Sequence, residues 1–152
     1  MQGIRLCGIL IAVEERFEVL NRDIERIKKE IVSVTEAEHR ILFAYLHGSF
    51  GNLPFRDIDI AAYCTILEDD AFDFELEMTS RIEILVGYPV DFKVINYAPI
   101  GFQFSVIHEG VLLFERERDL RLDFLEETSM RYMDYSGLSR SFLMELVECT
   151  RK

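Results

Sequence analysis

The sequence predicts an α/β domain with a small mixed sheet of about four short strands and about four or five flanking helices. Apolar residues make up 49% of the 152 positions, which is enough to bury a core without disulfides or a structural metal. Segments with the period of a helix alternate with short runs rich in β-branched and aromatic residues. Because no repeat, low-complexity tract or linker divides the chain, we predict that residues 1–152 form a single domain.

The first predicted element is an amphipathic helix with a charged outer face. Its apolar residues recur at alternating steps of four and three, which places them on one side. They are Val13, Phe17, Leu20, Ile24, Ile27 and Ile31. The repeat is too short for a coiled coil, so we expect the helix to pack on its own domain or against one partner helix.

Two predicted strands lie on either side of a turn. The apolar, partly aromatic run Ile41–Tyr45 is typical of a buried strand, and it leads into Gly48 and Ser49. Residues Gly51–Arg56 contain Gly, Asn and Pro, which favour a turn. The β pattern resumes at Asp57–Cys64. These features predict a strand, a turn and a second strand.

A second helix and a third strand are predicted next. Asp69 and Asp70 have the side chains of a helix N-cap, and Gly87 suits the end of a helix. The residues expected to face inward are Phe72, Leu76, Ile82 and Leu85. After this helix, residues 90–95 form the predicted third strand. Its alternating apolar residues are Val90, Phe92 and Val94.

The C-terminal part is predicted to be mainly helical. Residues 99–109 indicate a short helix closed by Gly110, and residues 111–114 indicate a fourth strand. From about residue 117 to residue 150 the pattern is helical, with an expected break near Gly137.

Charge and cysteine content limit the classes of function. Lys and Arg number 17 against 28 Asp and Glu, a formal charge of −11, which disfavours direct binding of nucleic acid. The apolar run Leu6–Val13 is too short to cross a bilayer and lacks the flanks of a secretory signal. The three cysteines are widely spaced, as expected for reduced core thiols: Cys7, Cys64 and Cys149. We therefore predict a cytoplasmic protein that acts without a membrane.

Three aspartates form the candidate site. Side chains alternate across a strand, so Asp57 and Asp59 point to one face while Ile58 and Ile60 point to the other. Two carboxylates about 4 Å apart repel by about 4 kcal/mol at an effective dielectric of about 20, and a partly buried pair therefore needs a cation. Asp91 joins them if its strand lies beside theirs. Three converging carboxylates with phosphate oxygens suit Mg²⁺, and two such ions would support an in-line phosphoryl displacement.

The second half of the candidate site binds phosphate. Gly48 has no Cβ and allows backbone N–H groups to approach a phosphate, while the Ser49 hydroxyl adds a donor. Arg56 and Lys93 offer positive charge, and Lys93 shares a strand face with Asp91. Each motif alone is also typical of a solvated strand end or an ordinary turn. Their order along the chain favours a site.

The spacing of the histidines does not predict a metal site. His39, His47 and His108 lack metal-ligand spacing. His47 lies near the phosphate-binding turn and is interpreted as a polar residue at a strand end.

The order Gly48-Ser49, Asp57-Ile58-Asp59 and Asp91 resembles the nucleotidyltransferases related to the polymerase β palm, most closely the minimal nucleotidyltransferases. The resemblance implies a polymerase-β-like fold with its catalytic core at about residues 41–95. It implies Asp57, Asp59 and Asp91 as catalytic ligands of two Mg²⁺ ions. It also implies Gly48 and Ser49 as the cradle for the ATP triphosphate. The loop departs from the family pattern, because "FGNLPFR" replaces a longer segment that contains Arg-Gly, and Arg56 would then complete the cradle.

Residues 90–135 have a predicted strand, a short helix, a Gly, a strand marked "LLFER" and an acidic helix ending in tyrosines. This pattern is similar to the longer members of the group, which act as antitoxins beside HEPN-family ribonuclease toxins. That resemblance implies transfer of AMP from ATP to a tyrosine of the toxin, within a homo-oligomer or a hetero-oligomer. Two alternatives stay open. The chain would neutralise its partner by occlusion with little catalysis, or would transfer a nucleotide to a small molecule.

Overall fold

A computed structural model describes residues 5–6, 9–10, 16–19, 21–51 and 54–150. The strands are β1 (Arg5–Leu6), β2 (Ile9–Leu10), β3 (Ile41–His47), β4 (Ile58–Cys64), β5 (Val90–Val94) and β6 (Val111–Glu115). The helices are α1 (Asn21–Ala37), α2 (Glu68–Val86), α3 (Ile100–Glu109) and α4 (Arg118–Thr150), with a 3₁₀ turn at Ile95–Tyr97. None of the helices in these ranges is both long and apolar enough to cross a membrane.

The central sheet has four strands in the order β5-β4-β3-β6. Strands β4 and β5 are parallel and are joined through α2, whereas β3 pairs antiparallel with both β4 and β6. Strands β1 and β2 form a separate antiparallel pair. A mixed four-stranded sheet with four helices confirms the predicted fold class.

Helices cover both faces of the sheet. One face packs on α1 and α2, and the other packs on α3 and α4. Along β4, Ile58 and Ile60 are buried on the α1/α2 side, while Ala61 and Tyr63 contact the α3/α4 side. Because side chains alternate along a strand, Asp59 belongs to the α3/α4 face. The packing of β4 therefore decides which face carries the candidate site.

The predicted first helix begins later than its apolar pattern suggested. Helix α1 starts at Asn21, and Phe17 instead forms an antiparallel bridge in which its N–H donates to Phe55 O at 2.7 Å. The Phe17 ring packs edge-on against Tyr88 at 5.3 Å. Ile24, Ile27 and Ile31 are buried as predicted, whereas Val13, Leu20 and Cys7 lie outside the described residues.

The inward face of α2 was predicted wrongly except at Ile82. The buried stripe has a spacing of four residues and consists of Phe74, Met78, Ile82 and Val86. The three other residues expected inside are exposed: Phe72 by 72%, Leu76 by 58% and Leu85 by 45%. The helix carries apolar residues on two stripes, and the sequence pattern alone does not say which one meets the sheet.

The ends of α2 follow the prediction only at the C-terminus. Gly87 ends the helix with φ of +77° and donates its N–H to Glu83 O at 2.9 Å. The N-cap is Leu67, which makes no side-chain cap bond. Asp69 and Asp70 lie in the first turn instead, where their charge favours the helix dipole.

The C-terminal elements match the predicted positions with one exception. Strands β5 and β6 and helix α3 lie within one residue of their expected bounds. Helix α4, however, continues without a break through Gly137. A glycine inside a helix costs only about 1 kcal/mol relative to alanine, which is too little to interrupt a long helix.

Side chains of α2 accept hydrogen bonds from the backbone N–H groups of the edge strand β5. Strand β5 is an edge strand, so alternate N–H groups of its backbone point away from β4. Three such groups each donate a hydrogen bond to a side chain of α2, and the three accepting residues follow one another at intervals of one helical turn. The pairs are Val90 N to Glu83 Oε1 at 2.9 Å, Phe92 N to Thr79 Oγ1 at 3.3 Å and Val94 N to Glu75 Oε1 at 2.8 Å. This contact fixes β5 relative to α2.

We expect Thr79→Val to lower the free energy of unfolding by about 1–2 kcal/mol, because the Phe92 N–H would lose its acceptor without gaining water. Thr79→Ser keeps the hydroxyl and is the control. Urea denaturation of both variants measures the difference. Equal stability of the two variants would show that the hydrogen bond does not fix the edge strand.

Candidate active site

Strand pairing brings the three aspartates to one face of the sheet. Asp59 and Asp91 are register partners on the parallel strands β4 and β5. Asp57 immediately precedes β4, two residues before Asp59, and its negative charge acts on the Asp59 carboxyl. The order of strands therefore places Asp91 beside the Asp57–Asp59 pair, as expected if the third strand lies next to the second.

The electrostatics around Asp59 favour a bound cation. Burial, together with the negative charges of Asp57 and Asp91, raises the pKa of the Asp59 carboxyl to about 6, although Arg56 acts in the opposite direction. A raised pKa means that the surroundings stabilise the protonated carboxyl relative to the carboxylate. Added positive charge at this point would stabilise the ionised form.

Two neighbouring cations bind the outer aspartates. Arg56 Nε and Nη2 each lie 3.2 Å from Asp57 Oδ2, and Lys93 Nζ lies 3.4 Å from Asp91 Oδ1. Within the described ranges, no three His, Cys, Asp or Glu side chains lie close enough together to hold a metal ion as they stand. The donor set still fits a hard divalent cation, because it consists of carboxylate oxygens on one face with Asp59 short of positive charge.

Gly48 leaves space for the Asp59 carboxylate. Its φ of +75° lies in the left-handed region, and a Cβ at this position would overlap Asp59 Oδ2 and come within 2.9 Å of Asp59 Cγ. Ser49 is exposed in the same turn. The buried Phe50 packs edge-on against Phe55 at 4.9 Å and holds the turn on the domain. Gly48 therefore lies directly against Asp59, and the binding of phosphate by this turn stays a prediction.

Lys93 is fixed between two carboxylates. Besides Asp91, its Nζ contacts Glu75 Oε2 at 3.5 Å. Burial works against the ammonium, but the charges of Glu75 and Asp91 outweigh it and raise the pKa of Lys93. Lys93 neutralises the acidic face in this arrangement, and Arg56 does the same for Asp57.

His47 is a site residue that sequence reasoning missed. It is the register partner of Asp59 across β3 and β4, so His47, Asp59 and Asp91 form a row across three strands. Its buried Nε2 has no hydrogen-bond partner among the residues that the structure describes, and its ring packs edge-on against Phe102 at 5.3 Å. Burial lowers the pKa of His47, with Asp91 opposing. The only sequence signal was its position directly before Gly48.

A cavity of about 370 Å³ adjoins Asp91. It lies between α2, the edge strand β5 and the start of α3. Its walls are mainly apolar, and its polar residues include Glu75, Asp91 and Lys93. The apolar lining consists of Ala71, Val94, Tyr97, Ala98, Pro99 and Phe102. No local motif predicted this cavity, because its lining comes from separate elements.

We expect the metal-free protein to lose stability as the pH rises. The folded pKa of Asp59, about 6, lies above its ordinary value of 3.8, so the folded protein holds this proton more tightly. Stability from Asp59 is then present below pH 4 and lost as the pH passes 6. Relative to Asp59→Asn, wild type should become less stable by about 1 kcal/mol between pH 4 and 7.5, after allowance for solvent screening.

Urea denaturation in EDTA measures this difference. Adding Mg²⁺ at pH 7.5 should restore the stability of wild type and leave Asp59→Asn unchanged. A constant difference between the two proteins across this pH range would contradict the electrostatic description of Asp59.

Comparisons with known proteins come from sequence and from structure. The family model described as polymerase beta, nucleotidyltransferase matches residues 29–119. No curated protein sequence matches the chain.

Solved structures of toxin–antitoxin complexes share the fold. A chain of the MntA–HepT complex is 18% identical, with a TM-score of 0.65 over 81% of this chain and 98% of that chain. A chain of the complex between a tri-AMPylated Shewanella oneidensis HEPN toxin and an MNT antitoxin is 18% identical, with a TM-score of 0.66 over 82% and 98%. A chain of a toxin–antitoxin structure with AMP-PNP is 20% identical, with a TM-score of 0.65 over 79% and 98%.

Proposed function

The chain belongs to the polymerase beta nucleotidyltransferase family, and on that premise we propose that it transfers AMP from ATP to a tyrosine of a HEPN ribonuclease toxin and acts as the antitoxin. The observation that carries this proposal is the placement of Asp59 beside Asp91 and against Gly48, with Asp57 next to them in the chain. The similarity in fold to an MNT antitoxin in complex with a tri-AMPylated HEPN toxin supports the choice of acceptor. The acidic charge of −11 also suits a basic, RNA-cleaving partner.

Each residue has a defined task in this proposal. Asp57, Asp59 and Asp91 would hold two Mg²⁺ ions, which when bound neutralise the phosphates and stabilise the charge of the transition state. Gly48 and Ser49 would bind the triphosphate through backbone N–H groups and a hydroxyl.

The transfer itself is a substitution at the α-phosphorus. The phenol oxygen of the acceptor forms a bond to the α-phosphorus, the bond from that phosphorus to the β-phosphate oxygen breaks, and pyrophosphate leaves with the electron pair. The phenol proton passes to the Asp91 carboxylate and on to solvent. The chain therefore contributes positioning and charge, with no covalent intermediate of its own.

Labelled ATP tests the proposal. The chain is incubated with Mg²⁺, the cognate HEPN toxin and ATP labelled either at the α-phosphate or at the γ-phosphate. We expect label on the toxin only from the α-labelled nucleotide. Transfer of the γ-label would indicate a kinase, and transfer to small molecules but not to the toxin would favour the alternative of a small-molecule acceptor.

A second candidate function is neutralisation by occlusion, with little catalysis. The observation that favours it is the short loop after Ser49, together with the pairing of Arg56 to Asp57 and of Lys93 to Asp91. A cradle with its cations engaged in this way would bind a triphosphate weakly. Absence of any label on the toxin, with full neutralisation of its ribonuclease activity, would support this candidate.

The cytoplasm is the compartment we propose for this activity, since ATP, Mg²⁺ and a ribonuclease substrate occur there. The buried, free thiol of Cys64 is consistent with a reducing environment.

A further inference from the structure

We propose that the cavity beside Asp91 binds the aromatic ring of the acceptor tyrosine and thereby selects the acceptor. The inference rests on the proposed function and adds to it the place where the acceptor enters. The cavity holds about 370 Å³ and opens next to a candidate metal ligand. It is therefore large enough for a side chain and close enough to the reacting atoms to position it.

The position of the cavity relative to the Gly48 turn assigns it to the acceptor. The turn lies at the end of β3, the row of aspartates crosses β4, and the cavity lies beyond β5. The attacking and leaving oxygens of a phosphoryl transfer lie roughly in line on opposite sides of the phosphorus. Pyrophosphate held at Gly48 and Ser49 therefore requires a nucleophile that approaches from the β5 side.

Charge at the mouth of the cavity separates the acceptor from the triphosphate. The charged residues that line the cavity are two acids, Glu75 and Asp91, and one base, Lys93, which pairs with both, so the charge of this lining is negative. Phosphate groups are repelled from such a mouth, whereas an uncharged phenol hydroxyl can donate a hydrogen bond to a carboxylate. Glu75 is held in place because its other oxygen accepts the Val94 N–H at 2.8 Å.

The walls of the cavity suit an aromatic ring. Tyr97 and Phe102 line the cavity with aromatic side chains, and the buried Val94 adds an aliphatic one. Tyr97 is fixed because its hydroxyl donates to Ile66 O at 2.6 Å, and Phe102 is fixed against His47. Aromatic pairs gain stabilisation beyond that from burial of apolar area, through the attraction between the edge of one ring and the face of another. A serine or threonine acceptor would leave this apolar space unfilled.

Filling the cavity tests the assignment without requiring turnover. Ala71→Phe places a ring into the cavity from α2, and Ala98→Leu fills it independently from the side of α3. Ser80→Phe adds the same side chain at an exposed position of α2 and is the control. The probes are N-acetyltyrosinamide, followed by saturation-transfer NMR, and AMP-PNP with Mg²⁺, followed by calorimetry. Circular dichroism shows whether each variant is folded.

We expect both filling variants to weaken binding of N-acetyltyrosinamide by at least about tenfold and to leave the affinity for AMP-PNP unchanged, because a filled cavity excludes only the acceptor. Ser80→Phe should behave as wild type. Loss of AMP-PNP binding in the filling variants would make the cavity a nucleoside pocket and overturn the proposal. Absence of N-acetyltyrosinamide binding to wild type, or unchanged binding in both filling variants, would overturn it as well.

The test of the cavity and the test of the proposed function can fail independently of each other. If N-acetyltyrosinamide binds as expected but label from α-labelled ATP reaches no tyrosine, the proposed function fails while the cavity assignment holds. If the toxin is labelled equally fast by wild type and by both filling variants, the function holds and the cavity assignment fails.

Discussion

Asp59→Asn is expected to lower the rate of AMP transfer to the toxin by at least about 10³-fold, because it removes the central carboxylate that would hold Mg²⁺ and so forfeits several kcal/mol of transition-state stabilisation. Asn has nearly the same shape as Asp, and it removes the negative charge that is disfavoured by burial and by the charges of Asp57 and Asp91. The variant should therefore remain folded and, without metal at pH 7.5, be more stable than wild type. The measurement is the initial rate of labelling with α-labelled ATP.

Asp134→Asn is the matched control for this prediction. Asp134 is exposed on α4, and the substitution makes the same change of charge and shape on the surface. It should label the toxin at the wild-type rate. Labelling by Asp59→Asn at a rate similar to that of Asp134→Asn would remove the aspartates from the proposed mechanism.

Gly48→Ala is expected to reduce both activity and stability. The added Cβ would overlap the Asp59 carboxylate and force it out of its position in the row of aspartates. The left-handed φ of +75° adds about 1–2 kcal/mol of backbone strain for a residue with a Cβ. We expect a loss of at least about 10²-fold in labelling, since a small displacement of a catalytic group has an effect of that size.

Gly87→Ala separates backbone strain from contact with the aspartate. Gly87 has nearly the same φ, +77°, but a Cβ there would meet no atom of the described residues within 4 Å. Urea denaturation should show the strain in both variants and a larger loss of stability in Gly48→Ala. Only Gly48→Ala should lose activity. If the two variants have equal stability and equal labelling rates, the close approach of Gly48 to Asp59 has no role in the site.

The part of the site that follows from strand geometry was predictable from sequence. The two-residue period of a strand places Asp57 and Asp59 on one face, and a helix between two strands favours the parallel pairing that brings Asp91 beside them. Gly48 was expected to lie close to a ligand. The structure adds that its missing Cβ first of all makes space for Asp59.

The part of the site that depends on packing was not predictable. His47 belongs to the row because β3 pairs with β4 in that register, and its ring contacts Phe102 of α3 edge-on. The cavity needs residues from α2, β5 and α3 together. The prediction of the inward face of α2 was wrong for the same reason. Phe72 and Phe74 each begin an apolar stripe along the helix, and only packing against the sheet determines that the stripe of Phe74 is buried.

Mass spectrometry of the HEPN toxin after co-expression tests the central claim most directly. The toxin is expressed with the wild-type chain or with the Asp57→Asn/Asp59→Asn double variant, and growth is followed in parallel. We predict AMP on a toxin tyrosine and restored growth only with wild type. Restored growth with the double variant, on a toxin that carries no AMP, would contradict catalysis and leave occlusion as the function of this chain.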